Sequence, residues 1–129
     1  MRLYQTSYDD KNINRQIEEA VGKAYSFYDI VKLRGIGSRR LEVIEASVEF
    51  NVARNPGHYR TLVNIELRPK GLIVYFRRKL DNYTIVIPYQ GLTIEYERDA
   101  VLYHSDSYLR IKDGYKKDKS FFKKVMQKI

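Results

Sequence analysis

At 129 residues, with 43% apolar and 13% aromatic content, the chain has the size and hydrophobicity of one folded domain, not of a disordered segment. It has no Cys, and its two His, His58 and His104, lie far apart. That composition excludes a disulfide framework, a thiolate metal site and a Cys nucleophile, and it leaves no metal-ligand spacing. The net charge of +8 is uneven: residues 110–129 hold eight Lys or Arg against Asp113 and Asp118, whereas residues 1–109 hold sixteen against fourteen acids. A basic end steers a protein toward acidic partners, or is simply the solvated face of a helix, and the solvated face is the preferred reading.

Taken in order, Asp9 and Asp10 precede a stripe of Ile13, Ile17, Ala20, Val21 and Ala24, which predicts an amphipathic helix over about 10–24 with an aspartate N-cap. Residues 25–33 (YSFYDIVKL) either continue that helix or begin a strand, and Gly35-Ile36-Gly37-Ser38 ends whichever it is. At residue 41 the period changes to two. Ile44, Ala46, Val48, Phe50 and Val52 alternate with polar residues, predicting a strand of about thirteen residues. A turn follows at 54–58 (RNPGH), then a strand at 59–68 with Val63, Ile65 and Leu67 inward, then a turn at Pro69-Lys70-Gly71. Residues 71–78 and 82–89 are apolar on both faces, as central strands are, and Pro88 ends the second. Residues 91–97 alternate, with Leu92 and Ile94 inward, and a last hairpin turns on Ser105-Asp106. Phe121, Phe122, Val125, Met126 and Ile129 then predict a terminal helix, N-capped by Asp118, with Lys123, Lys124 and Lys128 on its wet side.

The predicted fold is α+β: an N-terminal helical segment (1–40), then a mainly antiparallel sheet that curls into a roll, closed by a C-terminal capping helix (41–129). Its core is expected to hold Val48, Phe50, Val63, Ile65, Leu72, Val74, Val86, Leu92, Ile94, Leu109 and Ile111, under Phe121, Val125 and Ile129. The stretch GLIVYFRRKLDNYTIVIPYQGLTIEYE, followed by VLYHS, YLRIKD and KSFFKKVMQKI, resembles the small bacterial pleckstrin-homology-like (PH-like) proteins. The resemblance implies a seven-stranded, nearly orthogonal roll with a helix at one corner. It implies little about function, since such folds bind lipids or peptides or serve as scaffolds.

Five cations and no acid lie between Arg68 and Lys79: Arg68, Lys70, Arg77, Arg78 and Lys79. The simple reading is a solvated hairpin tip, because charge and Asp-Asn turn chemistry belong there. The functional reading is one basic region for an anionic lipid headgroup or another phosphate-bearing ligand. GIGSRR (35–40) lacks the spacing of a phosphate loop and reads as a linker. Arg54, His58 and Arg60 form a polar loop, and His104 is read as satisfying a local hydrogen bond. No nucleophile–base pair, metal set or cofactor motif is found, so a non-enzymatic binding or scaffolding module of the cytoplasm is expected. Its partner is expected to be a protein or a second copy, the latter through an exposed edge of the long strand and the adjacent, exposed-looking Tyr25, Phe27 and Tyr28. Anionic lipid is the alternative and RNA a more distant one. No run of residues is apolar enough to span a membrane.

Overall fold

Strand pairing in the computed structural model, which describes residues 1–53 and 60–129 (the Asn51 side chain apart), is antiparallel throughout. Eight strands form one sheet: β1 (Arg2–Gln5), β2 (Leu41–Ala46), β3 (Thr61–Arg68), β4 (Gly71–Arg78), β5 (Asp81–Pro88), β6 (Leu92–Tyr96), β7 (Ala100–His104) and β8 (Ser107–Ile111). Their spatial order is β1-β5-β4-β3-β2-β8-β7-β6, so two meanders meet where β2 pairs with β8. The helices are α1 (Lys11–Val21), α2 (Phe27–Lys32), α3 (Gly114–Lys117) and α4 (Lys119–Met126). None is long and apolar enough to cross a membrane among the described residues.

The sheet curls without closing. Its extremes approach near the N-terminus, where the Met1 amine lies 3.1 Å from His104 Nδ1 while His104 Nε2 lies 3.0 Å from the Gln90 carbonyl. Its concave side holds the main core, including Leu41, Val63, Ile65, Leu72, Val74, Ile85, Leu102, Leu109 and Ile111, with Phe121, Phe122 and Val125 of α4 packed into it. Ile94 is half-buried against this core. Val86, expected in this core, is instead buried on the opposite face, with Ile73, under Tyr4 of β1 and Ile17 and Val21 of α1. β4 and β5 are therefore apolar on both faces because α1 covers their outer side.

α1 begins as expected, with the Asp10 carboxylate accepting from the Asn12 and Ile13 amides at 2.9 and 3.3 Å. It stops at Gly22, whose φ of 89° suits glycine, and Lys70 N–H then donates to the Val21 carbonyl at 2.8 Å. A Cβ on Gly71 would lie 2.4 Å from the Ile87 carbonyl oxygen and 2.6 Å from Val21 Cγ1, so α1 seats directly on a side-chain-free site of β4. Residues 27–32 form a second helix, N-capped by Ser26 and separate from α1, which has ended at Val21, so the stretch neither continues the first helix nor begins a strand. β1 has no counterpart in the sequence reading. It borrows its ladder from β5, from Arg2 opposite Val86 to Gln5 opposite Tyr83.

Two further expectations fail. The thirteen-residue strand ends at Ala46, after a bulge between Val43 and Glu45 opposite β8. Ser47 stops it: its amide donates to the Tyr108 carbonyl and its hydroxyl accepts the Tyr108 amide, both at 3.1 Å. Phe50 N–H then bonds the Ser47 carbonyl at 3.0 Å and the chain turns into a 3₁₀ segment, Val48–Ala53. Phe50 is buried there, but Val48 is 71% exposed and not in the core. Ile129 is also outside it, 47% exposed, because α4 ends three residues earlier at Met126. The turn expected at 54–58, with Arg54 and His58, lies outside the described residues.

Candidate functional site

β4 separates the five cations of residues 68–79. It runs eight residues, about 23 Å end to end at ~3.3 Å per step, with Arg68 and Lys70 beyond one end and Arg77, Arg78 and Lys79 at the other. Arg68 is internal wiring: its side chain is 13% exposed, pairs with Glu66 at 2.9 Å, and donates to the Gly22 carbonyl at 3.1 Å and to the Tyr75 hydroxyl at 3.4 Å. Arg78 donates to the Val52 carbonyl at 3.2 Å and to the Thr61 hydroxyl, which ties the 3₁₀ segment to β3 and β4. Lys70, Arg77 and Lys79 are exposed, Lys79 in the two-residue β4–β5 turn with φ 57°. The sequence cluster is thus not one site.

A different basic surface forms from residues far apart in the chain. Residues 32–40 carry Lys32, Arg34, Arg39 and Arg40 and no acid, and residues 113–129 carry six lysines against Asp113 and Asp118. The remaining residues hold 14 cations and 14 acids, so these two segments account for the whole net charge of +8. The fold brings them together. Residues 36–38 run beside β3, with Leu67 N–H donating to the Ile36 carbonyl and Ser38 N–H to the Ile65 carbonyl, each at 2.7 Å. Arg39 N–H then donates to the Asp118 carboxylate at 2.7 Å, and the same carboxylate caps α4 through the Phe121 amide at 3.2 Å. Lys124 Nζ closes the other end on the carbonyls of Arg34 and Gly35, at 2.9 and 3.0 Å.

Two hollows result. One is lined by Lys32, Leu33, Arg34, Leu67, Lys124, Gln127 and Lys128, with four cations and no acid. The other is lined by Arg39, Arg40, Lys116, Lys117 and Asp113, whose carboxylate faces Arg98 at 3.4 Å. Cations gathered without counter-charges raise the local potential and attract anions. The sequence reading missed this surface because its acid-free linker and its basic end are seventy residues apart. Counting acid-free stretches together was the available signal.

Elsewhere, a cleft of about 530 Å³ lies between α1 and the outer face of the sheet, lined in part by Glu18, Arg68, Tyr75 and Tyr83. Its arginine is the one already held by Glu66, and burial, then the Glu66 carboxylate, pushes the Tyr75 phenol above its ordinary value. Among the described residues no three His, Asp or Glu side chains converge as a metal site would require. No family model, curated protein or solved structure matches this chain.

Proposed function

We propose that the chain is a non-enzymatic binding module of PH-like architecture, working in the cytoplasm, that holds an anionic macromolecular surface against its linker and terminal helices. The architecture is supported by two antiparallel meanders joined through β2 and β8, with α4 packed into the concave core. The observation that carries the function is electrostatic: the entire excess charge lies on residues 32–40 and 113–129, held side by side, while the rest of the molecule is neutral. Of the two grounds for self-association, the long unpaired strand is gone, since β2 stops at Ala46 and α1 covers the outside of its own sheet, while Phe27 and Tyr28 do stand exposed.

Elution from immobilised heparin along a salt gradient tests the reading. Reversing Arg39, Arg40, Lys116 and Lys117 to Glu is expected to bring elution to markedly lower salt, because released counterions scale with the contacts made. Reversing Arg2, Lys11, Lys70 and Lys79 changes the net charge equally and is expected to leave elution near that of the parent. Equal shifts in the two variants would mean that only net charge matters, and the reading would fall.

A further inference from the structure

Three large apolar side chains of α2 project into solvent: Phe27 is 82%, Tyr28 73% and Val31 61% exposed, and the helix has no buried residue. At ~100° per residue they share about 100° of helix arc, with Lys32 beside that arc and the Asp29 carboxylate on the far side. Asp29 is also engaged, accepting from the Ser26 hydroxyl at 3.0 Å while its amide donates back to Ser26 Oγ at 3.2 Å. Immediately C-terminal, Lys32 and Arg34 join Lys124 and Lys128 around the acid-free hollow. The two Lys124 bonds fix the end of α2 to α4, so rings and cations form one unit.

Resting on the anionic-surface reading above, we propose that the surface is a lipid bilayer bearing anionic headgroups. In this arrangement Phe27, Tyr28 and Val31 enter the boundary between headgroups and acyl chains, and Lys32, Arg34, Lys124 and Lys128 meet the phosphates. An apolar helix arc bordered by cations is the chemistry that a membrane surface selects. A bilayer also accepts projecting rings without a matching pocket, and here the rings stand on a convex helix. A second copy fits less well. A two-fold pairing of this face would gather both acid-free clusters, eight cations in all, at one interface, and like charges would oppose it.

The chain contains no Trp, so Phe27→Trp supplies a unique fluorophore on this face. With phosphatidylcholine–phosphatidylserine vesicles its emission is expected to shift to the blue, and the protein to co-sediment, both declining as salt is raised. Phosphatidylcholine vesicles alone are expected to leave it in solution. Phe27→Ser with Val31→Ser should weaken vesicle binding about tenfold or more through lost apolar transfer, and being exposed these sites leave the fold intact. Lys32→Glu with Arg34→Glu should abolish it. A bound protein with unshifted Trp emission, or vesicle binding unchanged by the double serine variant, overturns the proposal. So does a dimer in light scattering that the double serine variant dissolves. Binding to heparin or to a single-stranded RNA oligonucleotide without vesicle binding overturns the bilayer and leaves the anionic-surface reading standing. Failure on heparin, RNA and vesicles together removes both.

Discussion

The two basic regions of this molecule teach opposite lessons about proximity in sequence. Residues 68–79 place five cations within twelve positions, yet β4 holds them at its two ends, and two of the five are consumed by the fold. Residues 32–40 and 113–129 are distant in sequence, yet two backbone-directed contacts, from Arg39 to Asp118 and from Lys124 to Arg34, join them into one surface. In the first region charge maintains structure; in the second, structure collects charge.

Substitutions at the first region should therefore be read in stability and leave anion binding alone. Gly71→Ala is the largest: its Cβ meets the Ile87 backbone and Val21, and a loss of about 3 kcal/mol or more is expected in urea denaturation. Arg68→Ala should cost about 2 kcal/mol, by leaving the half-buried Glu66 carboxylate with the Tyr75 hydroxyl but no cation and by releasing the Gly22 carbonyl. A variant of Arg68 that kept its stability and lost heparin affinity would break the comparison. At the second region Lys124→Ala should show both effects. About 1 kcal/mol of stability goes with two partly exposed carbonyl contacts, and vesicle affinity falls as well.

The smallest effect has the opposite sign and lies beneath the terminal helices. The Tyr96 hydroxyl is buried with no partner among the described residues, its ring set against Tyr115 and Phe122 at 5.0 and 6.0 Å. Tyr96→Phe is expected to leave stability unchanged or raise it by up to about 1 kcal/mol. Burial, and then Tyr115, pushes this phenol up to about 12. A phenol that holds its proton more tightly in the folded state adds stability that is complete below its ordinary value of 10 and is lost as the pH rises toward 12. Denaturation midpoints from pH 9 to 12 should thus fall less steeply in Tyr96→Phe than in the parent. Equal slopes would mean that the ring is wetter than its surroundings indicate.

Much of the fold was legible because it is written in short-range patterns. The hairpins from Thr61 to Ile111 alternate or run apolar between turn residues, and α4 announces itself by Asp118 and its phenylalanines. What was not legible depended on distant partners. Arg2–Gln5 has too few residues to show a period and is a strand only because β5 offers a free edge. Val48 and Phe50 alternate as strand residues do, but Ser47 finds Tyr108 sixty-one positions away and ends the ladder. Val86 is apolar like its core-facing neighbours and is buried, but on the other face, under an α1 whose position no local pattern gives. For the same reason the five-cation run looked like a site, and the surface that gathers the net charge did not.

The position of β2 between the two meanders also has a consequence for how the chain comes to be folded. One edge of β2 is satisfied by β3, soon after synthesis, but the other waits for Ser107–Ile111, roughly sixty residues later. Pairings that close such long loops are slow. While β8 is still inside the ribosome, a completed β1–β5 sheet would stand with Val43 and Ala46 beside an open strand edge and no α4 to complete the concave core. Such an intermediate is a template for pairing with other chains. The nascent protein should accordingly call on chaperones late in its synthesis, and a ribosome stalled before residue 107 should expose it to aggregation more than one stalled a few residues past the emergence of α4.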